Sequence, residues 1–197
     1  MTEPIDVRER RELCDLFVEL GPDAPTLCEG WQTSDLAAHM VLREHFHRWP
    51  DQRLAAEKAT GFPAMVARLR AGPPLIPWRI PRLRNVLNGL EYFIHHEDVR
   101  RANGRAPRPT MPELEALSWR MTGFSARRLA RRIRPYGLEL VNADGAKRSF
   151  GSGEMATLTG PATELMLYMG GRRSTAHVSL SGSPGAIAAV ERTKLRV

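Results

Sequence analysis

Cysteine is scarce in this chain: 197 residues contain two, Cys14 and Cys28. Two thiols cannot build the disulfide framework of a small secreted domain, and they lack the paired C-x-x-C spacing of a structural zinc site. A chain of this length buries an adequate core without such staples. Long hydrophobic runs are also missing. No stretch approaches the roughly 20 apolar residues of a membrane span, and Met1-Thr-Glu-Pro-Ile-Asp6 does not carry a basic segment followed by an apolar one. These absences lead us to expect a cytoplasmic protein with reduced thiols and no membrane partner. Lysine is rare as well, so the formal charge of +7 comes almost wholly from arginine. A GC-rich genome produces that bias as readily as a demand for anionic partners does. Internal repeats and low-complexity tracts are absent.

What is present begins with helical periodicity. Leu13, Leu16, Phe17 and Leu20 recur at helical spacing, and Gly21-Pro22 ends the run. After the loop 23–32, Thr33 or Ser34 can cap a second helix, with Asp35 in its first turn, running to about Arg48. Residues 52–70 read as a third helix, weakly interrupted at Gly61 to Pro63. The Pro-rich stretch 72–81, with Trp78, cannot be helical. The strongest helical pattern spans about 82–103, where Leu83, Val86, Leu87, Leu90, Ile94 and Ala102 mark one face and Asn103-Gly104 supply a stop. Four helices by residue 103 predict an antiparallel bundle.

A linker follows, and Pro112 opens a further helix to about Arg134. The pattern then changes. Gly137 to Val141 alternates like a strand, Asp144-Gly145 is a hairpin signal, and 156–159 and 177–180 are further strand candidates. Helices over about 161–170 and 184–192 interleave with them. The predicted fold class is α+β: residues 1–108 an up-and-down four-helix bundle, residues 109–197 a small α/β domain.

Chemistry concentrates on the fourth predicted helix. Glu91 and His95 lie four positions apart, one turn apart on one face, beside the apolar stripe. A buried carboxylate there needs a compensating cation, either an arginine or a metal, and an adjacent imidazole offers a second metal donor. His39, three positions after Leu36, is the third candidate ligand, from the buried face of the second helix. Spacing alone leaves another reading open, in which Glu91 and His95 form a surface pair and His39 is a hydrogen-bonded core histidine.

Two segments add a resemblance. Trp31-Gln-Thr-Ser-Asp-Leu-Ala-Ala-His39 and Gly89-Leu-Glu-Tyr-Phe-Ile-His-His-Glu-Asp98 together resemble the DinB-like, mycothiol-dependent maleylpyruvate isomerase family. Gly160-Pro-Ala-Thr-Glu-Leu-Met-Leu-Tyr-Met-Gly-Gly-Arg172, with the strand to Gly182, is similar to that family's sterol-carrier-like C-terminal domain. The resemblance implies a divalent metal on His39, Glu91 and His95, with zinc first and nickel, manganese or iron as the other metals those donors suit. It also implies mycothiol, a small-molecule thiol, acting beside the metal on a small electrophilic or carboxylated substrate, by isomerisation or S-transfer rather than hydrolysis. The rival is a non-catalytic, stress-associated metal-binding module with its site closed by a fourth protein ligand.

Other residues carry less. His45, His47 and His96 neighbour the ligands, with His47 a surface or rim residue or an outer partner of the site. Asp98 either accepts a hydrogen bond from a ligating histidine or pairs with arginine. Arg172 is a weak candidate catalytic residue for holding a carboxylate bidentately, with Arg173 equally placed. Cys28 reads as a small buried hydrophobe. The run Arg127-Arg128 to Arg134 spreads over several helix faces with no stacking platform, so nucleic acid is not expected as a partner. The expected oligomeric state is monomer or homodimer.

Overall fold

The computed structural model describes residues 3–45, 51–73, 81–109 and 111–195. His47 and Trp78 lie outside these, as do the side chains of His45, Leu83, Val86 and Leu87. Among the described residues the chain is α+β, with eight helices and a four-stranded sheet. It divides into two compact units, Met1–Arg108 and Pro109–Val197.

The N-terminal unit holds α1 (Ile5–Leu20), α2 (Thr33–His45), α3 (Asp51–Lys58), α4 (Phe62–Ala71) and α5 (Pro81–Ala102). The third predicted helix is thus two. Gly61 adopts φ 91°, outside the helical region, and Pro63 in the first turn of α4 cannot donate to a continuing ladder. Among its described residues the N-terminal unit therefore has five helices where four are expected. Helix α1 packs against α4 and α5, and α2 packs against α3 and α4. Their shared core takes Leu13, Leu16 and Phe17 from α1, Leu36 and Met40 from α2, and Tyr92 and Val99 from α5.

The start of α2 differs in detail from expectation. Thr33 does not cap; its hydroxyl donates to the Gly21 carbonyl at 2.5 Å. Asp35 instead accepts from the Gln32 amide at 3.0 Å, so a carboxylate satisfies an open N–H near the positive helix end. These bonds fix where α2 begins, and with it the orientation of His39 two turns later.

In the C-terminal unit, α6 (Pro112–Arg132) packs against α7 (Ala162–Met169) and the sheet. The strands β1 (Gly137–Val141), β2 (Lys147–Phe150), β3 (Met155–Thr159) and β4 (Ser179–Gly182) lie in the order β2-β1-β3-β4. β1 pairs antiparallel with β2 and parallel with β3, and β3 pairs antiparallel with β4. Alternation puts Leu138, Leu140, Ala156 and Leu158 into one core with Leu129 and Ile133 of the α6 end, Leu165 of α7 and Val190 of α8 (Pro184–Arg192). Gly182 is obligatory, since a Cβ there would stand 2.1 Å from the Met155 carbonyl oxygen.

Candidate metal centre

Helix α2 presents His39 and α5 presents Glu91 and His95, and one donor atom of each lies within 4.8 Å of the other two. His95 Nε2 stands 3.4 Å and His39 Nε2 4.0 Å from the same oxygen, Glu91 Oε1. The two imidazole rings meet edge to face, with centroids 5.4 Å apart. The sequence expects this trio, and the structure brings it together.

The carboxylate is less buried than the sequence suggests. The side chain of Glu91 keeps 29 % exposure against 7 % for His95 and 13 % for His39, so it forms the rim of the cluster. It also has a cation already. Arg43 Nε lies 3.3 Å from Glu91 Oε1, and its Nη1 donates to Asn88 Oδ1 at 2.6 Å. Sequence reasoning missed Arg43, although it follows His39 by four positions and therefore shares its helix face. Arginine compensation and metal ligation of Glu91 thus both have a physical basis here.

Behind the trio, His95 Nδ1 is 2.9 Å from Asp98 Oδ2, and Asp98 is fully buried. A carboxylate on the rear nitrogen fixes the tautomer that leaves Nε2 free to face Glu91. The sequence offers this role for Asp98 beside a salt bridge to arginine, and the geometry shows the contact with the histidine. His96 turns the other way, with Nδ1 3.1 Å from Glu9 Oε2.

The loop 23–32 is stitched to α5 at this point. The Leu27 amide donates to the Asp98 carbonyl at 3.1 Å, and Asn103 Nδ2 donates to the Pro25 carbonyl at 3.0 Å. Trp31 consequently sits against His39, with ring centroids 5.2 Å apart. Cys28 packs beside the N-terminal core, as expected of a small hydrophobe, but its Sγ also lies 3.3 Å from Asp98 Oδ2 and 3.8 Å from His95 Nδ1. It therefore faces the rear nitrogen of His95, away from the nitrogen that faces Glu91. Cys28, His95 and Asp98 form a second possible donor group. A third, Glu9, Glu12 and His96, is filled by Arg108, whose guanidinium reaches Glu9 at 2.9 Å and Glu97 at 2.8 Å.

Electrostatics sharpen the picture. Burial alone would raise the Glu91 carboxyl, but the imidazoles of His39 and His95 beside it and the charge of Arg43 hold it well below the usual carboxylate range. Burial keeps His39 below its ordinary value. For His95 burial pulls the same way and is outweighed by bonds to Asp98, Cys28 and Glu91, which raise it well above the ordinary value. Glu91 ionised and His39 neutral are the forms a cation requires, and on His95 a cation would take the place of the proton that these bonds favour. Cys14 is a contrast: buried in the core, its thiol is pushed up to about 12.

Arg172 and Arg173 belong to the C-terminal unit. Arg172 is buried in the turn after α7 and donates to the Gly170 carbonyl. Arg173 donates to the Val190 and Glu191 carbonyls at the end of α8, a structural use for that side chain.

Against this geometry, the comparison with solved structures gives a clear result. The mycothiol-dependent maleylpyruvate isomerase matches with a TM-score of 0.61 at 16 % identity, over 92 % of this chain and 96 % of that one. The chain has the fold of that isomerase. A histidine-to-alanine mutant of a mycothiol-dependent maleylpyruvate isomerase matches with a TM-score of 0.57 at 15 % identity over the same shares. No protein-family model matches the chain, and no curated protein matches its sequence. The isomerase resemblance read from the two motif segments is therefore supported at the level of fold. No helix among the described residues is long and apolar enough to cross a membrane.

Proposed function

We propose that this chain is a cytoplasmic, divalent-metal-dependent enzyme that works with a small-molecule thiol to isomerise or conjugate a small electrophilic or carboxylated substrate. The observation that carries the reading is the convergence of His39, Glu91 and His95, with Asp98 behind His95. Two imidazoles and a carboxylate suit zinc first, and nickel, manganese or iron as well. A metal held by three protein groups supplies Lewis acidity and, at an open position, lowers the pKa of a bound thiol.

The chain's own residues do the positioning. Asp98 holds His95 so that Nε2 faces Glu91, Arg43 anchored on Asn88 steadies the carboxylate, and Trp31 covers one side of His39 against water. Mycothiol is the thiol named for the two solved structures, and its chemical class is the part we carry over. The free thiols Cys14 and Cys28 fit the reducing compartment such a cofactor requires. In this reading the N-terminal unit is a DinB-like bundle elaborated by the α3–α4 break, and the C-terminal unit is its sterol-carrier-like companion.

A non-catalytic metal module would close the site with a fourth protein ligand. Cys28 stands on the Nδ1 side of His95, which supports the open arrangement. The test uses protein loaded with cobalt in a Cys28→Ser background, so that the chain's own thiol near the site contributes nothing. Adding mycothiol is expected to produce a thiolate-to-cobalt charge-transfer absorption that the His95→Ala variant lacks. Absence of the band in the loaded protein, or its persistence in His95→Ala, would count against the proposal.

A further inference from the structure

The basic charge of this chain is unevenly placed. The C-terminal unit holds 13 of the 29 Lys and Arg but only 7 of the 22 Asp and Glu, a net of +6 out of +7. On α6, Arg120, Phe124, Arg127 and Arg131 recur at i, i+4, i+7 and i+11, so they form one stripe about 16 Å long. All four are exposed, and Phe124 keeps 74 % of its surface in solvent, an unusual position for a large apolar ring.

Beside this stripe lies a groove of about 540 Å³, lined by Arg120, Gly123, Phe124, Arg127, Arg148 and Phe150 among others. Arg148 and Phe150 come from β2, so the groove joins the helix to the sheet edge. Its floor is Gly123. A Cβ there would lie 3.6 Å from Arg148 Nη1, 3.9 Å from Arg127 Nη1 and 4.0 Å from the Phe150 ring. Two guanidinium groups and a ring therefore converge on one point. The Arg127 guanidinium stacks over Phe150 at 5.7 Å and that of Arg148 over Trp119 at 4.5 Å.

Among the described residues no carboxylate forms an ion pair with Arg120, Arg127 or Arg148, whereas Lys147 on β2 pairs with Glu139. Like charges brought together without a counter-ion cost free energy that an anion would offset. A groove of this volume falls in the range of small-molecule sites. An open aromatic ring beside guanidinium groups is the arrangement on which planar rings stack.

We propose that this groove binds a ligand that joins an oxyanion to a planar ring, the chemistry of a nucleotide, free or as a unit of a single strand. Arg148 Nη1 already donates to the Trp119 carbonyl, so the oxyanion is taken above Gly123 by Arg127 and the remaining donors of Arg148, and the ring stacks on Phe124. Read from the sequence, nucleic acid is set aside because the arginines spread over several helix faces without a stacking platform. Arg132 does leave the stripe and donates to the Lys194 carbonyl. Arg120, Arg127 and Arg131 share a face with Phe124, Arg134 lies beyond the end of α6, and β2 supplies a second ring that helix periodicity cannot reveal.

The test is fluorescence anisotropy on the full chain with labelled oligothymidylate about ten nucleotides long, and calorimetry with ADP. Binding of at least one probe is expected, weakened about 10-fold or more by Phe124→Ala. Arg127→Gln should also weaken it and flatten its salt dependence. Gly123→Leu, which fills the floor and favours the helix, should abolish it while circular dichroism stays unchanged. ADP binding that displaces the oligomer identifies a free nucleotide, and oligomer binding alone identifies a strand. The proposal is overturned if neither probe binds, if the variants bind like the parent, if pyrophosphate competes as well as ADP, or if only phosphatidylserine vesicles bind.

Discussion

Arg10→Ala is expected to destabilise the protein by about 3–5 kcal/mol, the cost of stranding a buried charge. Arg10 on α1 is 5 % exposed and pairs with Glu44 on α2, which is 1 % exposed. Its Nε donates to the Tyr92 hydroxyl at 3.0 Å, and that hydroxyl donates to Glu44 Oε1 at 2.6 Å. The guanidinium also lies over the Tyr92 ring, 4.9 Å from its centroid. Burial would lower the Arg10 pKa, yet the neighbouring Tyr92 and Glu44 raise it, so the group stays charged. Removing it leaves Glu44 without its cation in a site that water reaches poorly. Urea unfolding followed by helical circular dichroism gives the difference, and Glu44→Leu in the Arg10→Ala background should recover part of it. A loss below about 1 kcal/mol would mean that the network contributes only packing. Because it ties α1 and α2 to Tyr92, the neighbour of Glu91, it also holds the helices that carry the metal donors.

Asp98→Ala is expected to weaken metal binding about 10–100-fold while leaving all three proposed ligands in place. Without that carboxylate His95 loses the acceptor on Nδ1, and its ring is free to take the other tautomer or turn away from Glu91. Asp98→Asn, which retains an acceptor oxygen, should lose less. Competition with a chromophoric chelator measures both. Equal affinity in the parent and Asp98→Ala would show that the rear carboxylate does not support ligation.

Much of this is legible in the sequence, for identifiable reasons. The α1 core residues and the alternation of β1 follow from periodicities of 3.6 and 2, which depend only on local chain geometry. The convergence of His39, Glu91 and His95 is only half legible: spacing leaves a surface pair equally open, the resemblance of the two motif segments points to the trio, and the core of α5 is built by Tyr92 and Val99, with Ile94 of the expected stripe only half-buried. The break at Gly61 is underestimated, since a weak local interruption becomes decisive when the residue takes a positive φ ahead of a proline. The contact of Arg43 with Glu91 is hidden for a different reason: it depends on how α2 and α5 cross. The groove over Gly123 likewise depends on which strand edge α6 meets. Spacing along one element does not encode such crossings.

The central claim is that His39, Glu91 and His95 hold one divalent ion, and elemental analysis tests it most directly. Protein purified without an affinity tag would be measured beside the His39→Ala and His95→Ala variants. The expected result is close to one metal per chain in the parent and little in either variant, with all three folded. A folded parent that carries no metal and takes up no added zinc, nickel, manganese or iron would contradict the claim. Glu91 would then be the partner of Arg43, and His95 the partner of Asp98.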